Sequence, residues 1–229
     1  MLYYVVLTLG VIFSCAFCIL RMRGCSIQNL ILKTISSLCF LLTGVFALIN
    51  NPNAGTYGSV LIMGGALGLV GDILLDLKGI YKKDANAYLK GGFLFFLTGH
   101  LFYIGAIIYT MRLKWYLVLI CALLSAAISA VTVASANIMK VHYGKFRRVV
   151  FEYVSVLTMT TLLSIASAYI YKTKATIILA AGAILFLLSD AILSGMYFGK
   201  NQDTKPRRLI NHICYYAGQY LIMSSILFI

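Results

Sequence analysis

Charge is scarce in this sequence, and negative charge is scarcer still: 11% of the 229 residues are charged, with six acids against 19 Lys and Arg. A soluble domain carries about 25% charged and about 45–50% apolar residues. Here 62% is apolar and the mean hydropathy is +0.94. Too little polar surface exists to cover a globule in water, which excludes a soluble fold. Disorder is excluded as well, because it needs low hydrophobicity. Proline is nearly missing: Pro52 and Pro206 both fall between apolar runs, so the proline-broken helices common in carriers are not expected. The six cysteines form no matched set. Cys15 and Cys18 have CxxC spacing, but on an apolar helix without a second pair they read as small packing residues. No metal and no cofactor is expected.

Runs of about 20 apolar residues mark helices that cross a bilayer. Eight are present: Leu2–Leu20, Ile31–Ile49, Tyr57–Leu77, Leu89–Thr110, Trp115–Val133, Val149–Tyr171, Ala175–Phe198 and Leu209–Phe228. The connections are short, which predicts one all-α domain over residues 1–229, a polytopic membrane bundle of eight transmembrane helices. The alternating segments of about 10 residues that build a β-barrel are missing. The first run has no basic leader and is followed by Arg21 and Arg23, which predicts a retained helix.

Basic residues cluster in alternate connections. The first holds Arg21, Arg23 and Lys33; the third holds Lys78, Lys82, Lys83 and Lys90. The fifth holds Lys140, Lys145, Arg147 and Arg148, and the seventh Lys200, Lys205, Arg207 and Arg208. The other side has only Arg112, Lys114, Lys172 and Lys174. The positive-inside rule predicts cytoplasmic odd connections and non-cytoplasmic termini. The net charge of +13 then reflects topology and contact with anionic membrane lipids, not nucleic acid. The expected location is a bacterial cytoplasmic membrane, or the endoplasmic reticulum membrane in a eukaryote.

A charge inside a span costs about 2.5–3.5 kcal/mol on insertion scales, so each needs a reason. Asp84 and Asp203 fall in basic loops and are expected to be solvated. Asp72, Asp76, Glu152, Asp190, His100 and His212 fall inside spans. At about 1.5 Å rise per residue, Asp72 lies roughly 8 Å from the basic end, Asp190 about 12 Å and His100 about 17 Å. Asp76, Glu152 and His212 are shallower. Asp76 and Glu152 are expected to snorkel or pair with Lys78, Arg147 or Arg148. His100 has an ordinary alternative as a neutral side chain hydrogen-bonded between helices. Asp72 and Asp190 are the candidates for function. They are deeper, have no basic residue on adjacent turns of their own helices, and follow small residues, Gly71 and Ser189.

An internal repeat pairs them. Leu69-Val-Gly-Asp72-Ile-Leu-Leu75 is matched by Leu187-Leu-Ser-Asp190-Ala-Ile-Leu193. Each is followed by a basic loop and then by His100-x-x-Tyr103 or His212-x-x-Tyr215. Units four spans apart share orientation, as in a parallel repeat of four plus four helices whose third and seventh spans face each other.

The stretches Gly71-Asp72-Ile-Leu-Leu75, Phe95-Phe96-Leu97-Thr98-Gly99-His100-Leu101-Phe102-Tyr103, Leu188-Ser189-Asp190 and Tyr215-Tyr216-Ala217-Gly218-Gln219, in this order, resemble those of the YhhN-like lysoplasmalogenases. The resemblance covers essentially the whole chain. It implies hydrolysis of the vinyl ether bond of lysoplasmalogens to a fatty aldehyde and glycerophosphocholine or glycerophosphoethanolamine. It also implies two essential aspartates, which fall on Asp72 and Asp190.

The residue inventory suits that chemistry on its own terms. An enol ether is opened by protonating carbon, which asks for a well-placed carboxylic acid and a second carboxylate to stabilise the cation and activate water. Glycosidases solve an oxocarbenium problem in the same way. The expected roles are acid for Asp190 and water-activating base for Asp72, an order that is open to reversal. His100, Tyr103, His212, Tyr216 and Gln219 are candidates for binding a lysophospholipid, together with Lys82 and Lys83; the basic loops carrying Lys78, Lys82, Lys83, Arg147 and Arg148 are placed to attract its phosphate. Phe95, Phe96, Phe102, Tyr103 and Tyr216 are candidate linings for the chain, with ordinary packing between helices as the alternative. The alternative is a proton-coupled lipid or small-molecule transporter or scramblase with the aspartates as relays. An intramembrane aspartyl protease fits less well, since Leu69 stands where its motif has Gly. A zinc hydrolase would have only two embedded histidines to work with.

Overall fold

Each apolar run becomes one helix. The computed structural model describes all 229 residues, with α1 (Leu2–Arg21), α2 (Ile27–Asn50), α3 (Gly55–Ile80), α4 (Ala85–Met111), α5 (Trp115–Ala134), α6 (Arg147–Tyr171), α7 (Lys174–Phe198) and α8 (Lys205–Ser224). Local chemistry sets several ends. Ser26 caps α2 by accepting from the Asn29 backbone N–H at 3.2 Å, and Thr173 and Thr176 cap α7 reciprocally. Arg112 and Lys172 leave α4 and α6 in the left-handed conformation (φ 44° and 53°), turning the chain at once into the next helix.

Seven helices are long and apolar enough to cross a membrane. The one that falls short is α8, because its buried face carries Asn211, His212, Tyr215, Tyr216, Gln219 and Tyr220. The chain is accordingly an integral, multi-pass membrane protein built as an all-helical bundle.

The repeat is visible in the packing. α1 packs on α2 as α5 packs on α6, α2 on α3 as α6 on α7, and α3 on α4 as α7 on α8. The halves join where α4 meets α6 and where α8 meets α2. The closest helix crossings also match. A Cβ on Gly64 would stand 2.7 Å from the Gly99 carbonyl oxygen, and one on Gly182 would stand 2.8 Å from that of Gly218. Both Gly64 and Gly182 lie eight residues before the aspartate of their helix. Only glycine allows backbones this near, the usual device where helices associate without water to drive them together. The expectation that α3 and α7 face each other needs correcting in one respect. They do not pack together; α4 and α8 are their main partners, and a cavity separates the two aspartates.

Candidate active site

The first aspartate is built into an ion cluster. Asp72 and Asp76 stand four residues apart on α3 and so share a face. That face meets Lys33 of α2, whose Nζ lies 3.1 Å from Asp72 Oδ1 and 3.3 Å from Asp76 Oδ1. An Arg21 guanidinium nitrogen lies 3.2 Å from Asp76 Oδ2. Asp72 Oδ2 accepts from the Ser37 hydroxyl at 2.6 Å and the Tyr215 hydroxyl at 2.5 Å. Buried charge is tolerable only when partners replace the lost water on nearly every oxygen. Asp72, 2% exposed, meets that condition.

Two expectations are corrected here. Lys33 is no loop residue: it sits in the second turn of α2 and is 4% exposed. Asp76 does not snorkel or pair with Lys78, Arg147 or Arg148; it is 1% exposed and held by Arg21 and Lys33. Lys78 lies instead over the Tyr197 ring. Glu152 does pair with Arg148, at 2.9 Å on the surface.

Asp190 has a different setting. It is half-buried, accepts a hydrogen bond from the Tyr153 hydroxyl of α6, and has no cation within ion-pair distance. The neighbouring Ser189 is occupied, its carbonyl and hydroxyl both accepting from the Asn211 side chain.

Two cavities meet at this residue. A small one, about 40 Å³, has Asp72 and Asp190 in its wall together with Lys33, Tyr153, His212 and Tyr215. A larger cleft of about 540 Å³ runs between α5, α6 and α7 and is mostly apolar. Its lining extends from Gln202 and Tyr143 near the basic end to Leu157 and Ile165. Phe93, Tyr153, Asp190 and Leu193 line both spaces. Ile128 and Ile165 on the cleft are well exposed, so it opens sideways, toward the region of lipid.

The other predicted residues divide. His212 lines the small cavity, is 6% exposed, and meets Phe17 edge-on at 4.9 Å. Tyr103 donates to Gln219 Oε1 at 3.2 Å, and the Gln219 amide donates to Tyr215 at 3.4 Å. These two therefore support Asp72 through Tyr215 and face neither cavity. Tyr216 donates to the Lys33 carbonyl at 3.3 Å and likewise stands behind the site. His100 is buried with both ring nitrogens unpartnered, not hydrogen-bonded between helices as its ordinary alternative required. It packs edge-on against Phe186 at 4.6 Å and Tyr103 at 5.3 Å. Lys82 and Lys83 are exposed on the turn after α3 and line neither cavity. The expected aromatic chain lining is also corrected. Phe95 and Phe102 line neither space, Phe96 lines only the small cavity, and the cleft wall is largely aliphatic residues of α5, α6 and α7.

Sequence reasoning passed over Lys33, Ser37, Tyr153 and Arg21 as site residues, and used Tyr215 only as part of a motif. Lys33 had a signal, since Leu30-Ile31-Leu32 places it inside an apolar run. Tyr153 had one too, as the first of a stripe of buried hydroxyls with Thr160, Ser164 and Ser167 at helical spacing. Ser37 and Arg21 had none.

The chain is thus a multi-pass helical bundle with two embedded carboxylates on one cavity and a lateral apolar cleft. The chain belongs to the YhhN family, whose model matches residues 28–226, nearly its full length. This is the lysoplasmalogenase-type family, and membership suggests a lysoplasmalogenase-like function and is consistent with a hydrolase. No curated protein and no solved structure matches the chain.

Proposed function

We propose that this protein is a lysoplasmalogenase, hydrolysing the vinyl ether of alkenyl-glycerophosphocholine or -ethanolamine. The observation that carries the reading is the place of Asp190, the one carboxyl that lines both the apolar cleft and the polar cavity. A single-chain lipid has the same division. Its chain is apolar, its glycerol end is polar, and the reacting double bond lies at the junction. The cleft volume falls in the range of about 300–1,000 Å³ usual for small-ligand sites.

The chemistry follows from the two carboxyl environments. Asp190 has a hydroxyl neighbour and no cation, which suits a proton donor. It gives its proton to the vinyl carbon one removed from the ether oxygen, and the other vinyl carbon becomes an oxocarbenium ion. Asp72, supported by Lys33 and two hydroxyls, is the charged partner that stabilises the cation and takes a proton from the attacking water. The hemiacetal then breaks its bond to the glycerol oxygen, which takes the proton held by Asp72, while the hemiacetal hydroxyl returns its proton to Asp190 as the aldehyde forms. Water is the only co-reactant. In heavy water the aldehyde is expected to carry one deuterium on the carbon next to the carbonyl, when trapped before exchange. Prompt aldehyde without deuterium refutes protonation at carbon, and no aldehyde from purified protein leaves the transporter reading in its place.

The basic end is assigned to the cytoplasm and both termini to the opposite side, as the charge asymmetry of the loops favours. A C-terminal reporter active only in the cytoplasm is expected to be silent; strong activity reverses the orientation.

A further inference from the structure

At the basic end a second polar pocket, of about 210 Å³, adjoins the small cavity and shares Arg21, Leu75, Met196 and Tyr197 with it. Its charged lining is Arg21, Lys78, Arg208 and one acid, Asp203. The acid is taken: Arg208 donates to both its oxygens, at 2.6 and 2.8 Å. Arg21 gives one terminal nitrogen to Asp76, and its remaining N–H groups have no protein acceptor. Lys78 has no carboxylate within ion-pair distance, and its Nζ rests 3.3 Å from the centroid of the Tyr197 ring. An ammonium on an aromatic face keeps donors free on its open side. Two cations with unused donors, half-buried in one pocket, are short of an acceptor such as phosphate.

We infer that this pocket receives the phosphodiester of a lysophospholipid head group, with Arg21 and Lys78 donating to its oxygens and Arg208 adding to the positive field. The inference rests on the reading of Asp72 and Asp190 as the reaction site and extends it to a head-group subsite. The register fits. Lys78 is six residues beyond Asp72 on α3, about 9 Å along the axis, and Tyr197 is seven beyond Asp190 on α7, about 10 Å. A three-carbon glycerol links phosphate to ether oxygen, and the long Arg21 and Lys78 side chains reach inward over the rest. Arg21 is the hinge of the arrangement, because it lines both spaces. Lys82 and Lys83, though near in sequence, lie outside the pocket.

Cys25, exposed and part of the pocket lining, provides a reporter independent of turnover. The protein, purified in an alkyl maltoside, is treated with a water-soluble maleimide, and the rate of Cys25 labelling is followed by peptide mass spectrometry. Three probes are compared: a 1-alkyl lysophosphoethanolamine (which has no vinyl ether to cleave), the matching 1-alkylglycerol, and inorganic phosphate. The lysophospholipid is expected to slow labelling and the alkylglycerol to leave it unchanged. Lys78→Met is expected to raise the half-protecting concentration about tenfold, the loss of one charge-assisted contact, with Lys78→Arg near the natural protein. In turnover of an alkenyl lysophospholipid, Lys78→Met is expected to raise KM by a similar factor with kcat little changed, and to leave hydrolysis of the alkenylglycerol unaltered. Equal protection by the alkylglycerol, or none by any probe, overturns the proposal. Protection by inorganic phosphate at the same concentration as the lipid makes this a free-anion site and also overturns it. Protection by the lysophospholipid without vinyl ether hydrolysis upholds the subsite and refutes the catalytic reading instead.

Discussion

The two halves of this molecule share a scaffold and use it differently. In the first, α1 lies against both α2 and α8: Tyr3 donates to Ser224 at 2.8 Å, Gly10 admits the Tyr220 ring, and Phe17 abuts His212 and Tyr216. The large apolar cleft has no lining from these helices. In the second, α5 occupies the position of α1 but packs on α6 alone, and the 540 Å³ cleft lies beside it. The aspartates differ in the same sense. Asp72 is enclosed by Lys33, Ser37 and Tyr215, whereas Asp190 has Tyr153 and open space. The repeat supplies two equivalent carboxylates; the neighbouring helices surround one with a lysine and two hydroxyls and leave the other facing the apolar cleft.

The comparison breaks most visibly at the carboxylates. Asp190→Asn is expected to lower turnover by about 10²–10⁴-fold, the effect of losing a positioned acid, with little change in thermal stability. Asp72→Asn is expected to lose comparable activity and to melt earlier as well, because Lys33 loses half of its charge partners. Asp84→Asn, on the surface, serves as the control and is expected to be silent; aldehyde release and detergent melting curves measure all three. If Asp84→Asn were as inactive as the buried variants, the site would be misplaced.

Lys33→Met is next in size. It leaves Asp72 with hydroxyls only and Asp76 with Arg21 alone. Removing one partner of a buried ion pair costs about 3–5 kcal/mol, and a shift of that order in unfolding is expected. The second half has no counterpart to this lysine, so no single charge removal there is expected to do the same. A small change in Lys33→Met would show that Asp72 needs no cation.

The smallest effect sharpens what the halves have in common. Gly64→Ala and Gly182→Ala each press a methyl group onto a facing carbonyl at nearly the same distance. Each is expected to destabilise by about 1–3 kcal/mol, and by similar amounts. A large cost in one and none in the other would mean that the two crossings are not equivalent.

The sequence by itself determined the number of helices, the clustering of basic residues at one end, the repeat and the two aspartates. These are short-range properties: a 20-residue apolar run must cross or aggregate, and a carboxylate within it stands out whatever surrounds it. Tertiary structure alone decided which cations meet which acids. Lys33 reads as a loop charge and Asp76 as a snorkelling acid until α1, α2 and α3 are brought together. It also decided that His100 packs among aromatic rings while His212 lines a cavity, and that the large apolar cleft lies along α7 and not along α3. The physical reason is common to all of these. In a helix apolar on every side, hydropathy shows that it spans but not which face turns inward. That choice is made by glycine crossings, hydroxyl pairs and buried ions, whose partners lie on other helices up to 221 residues away along the chain.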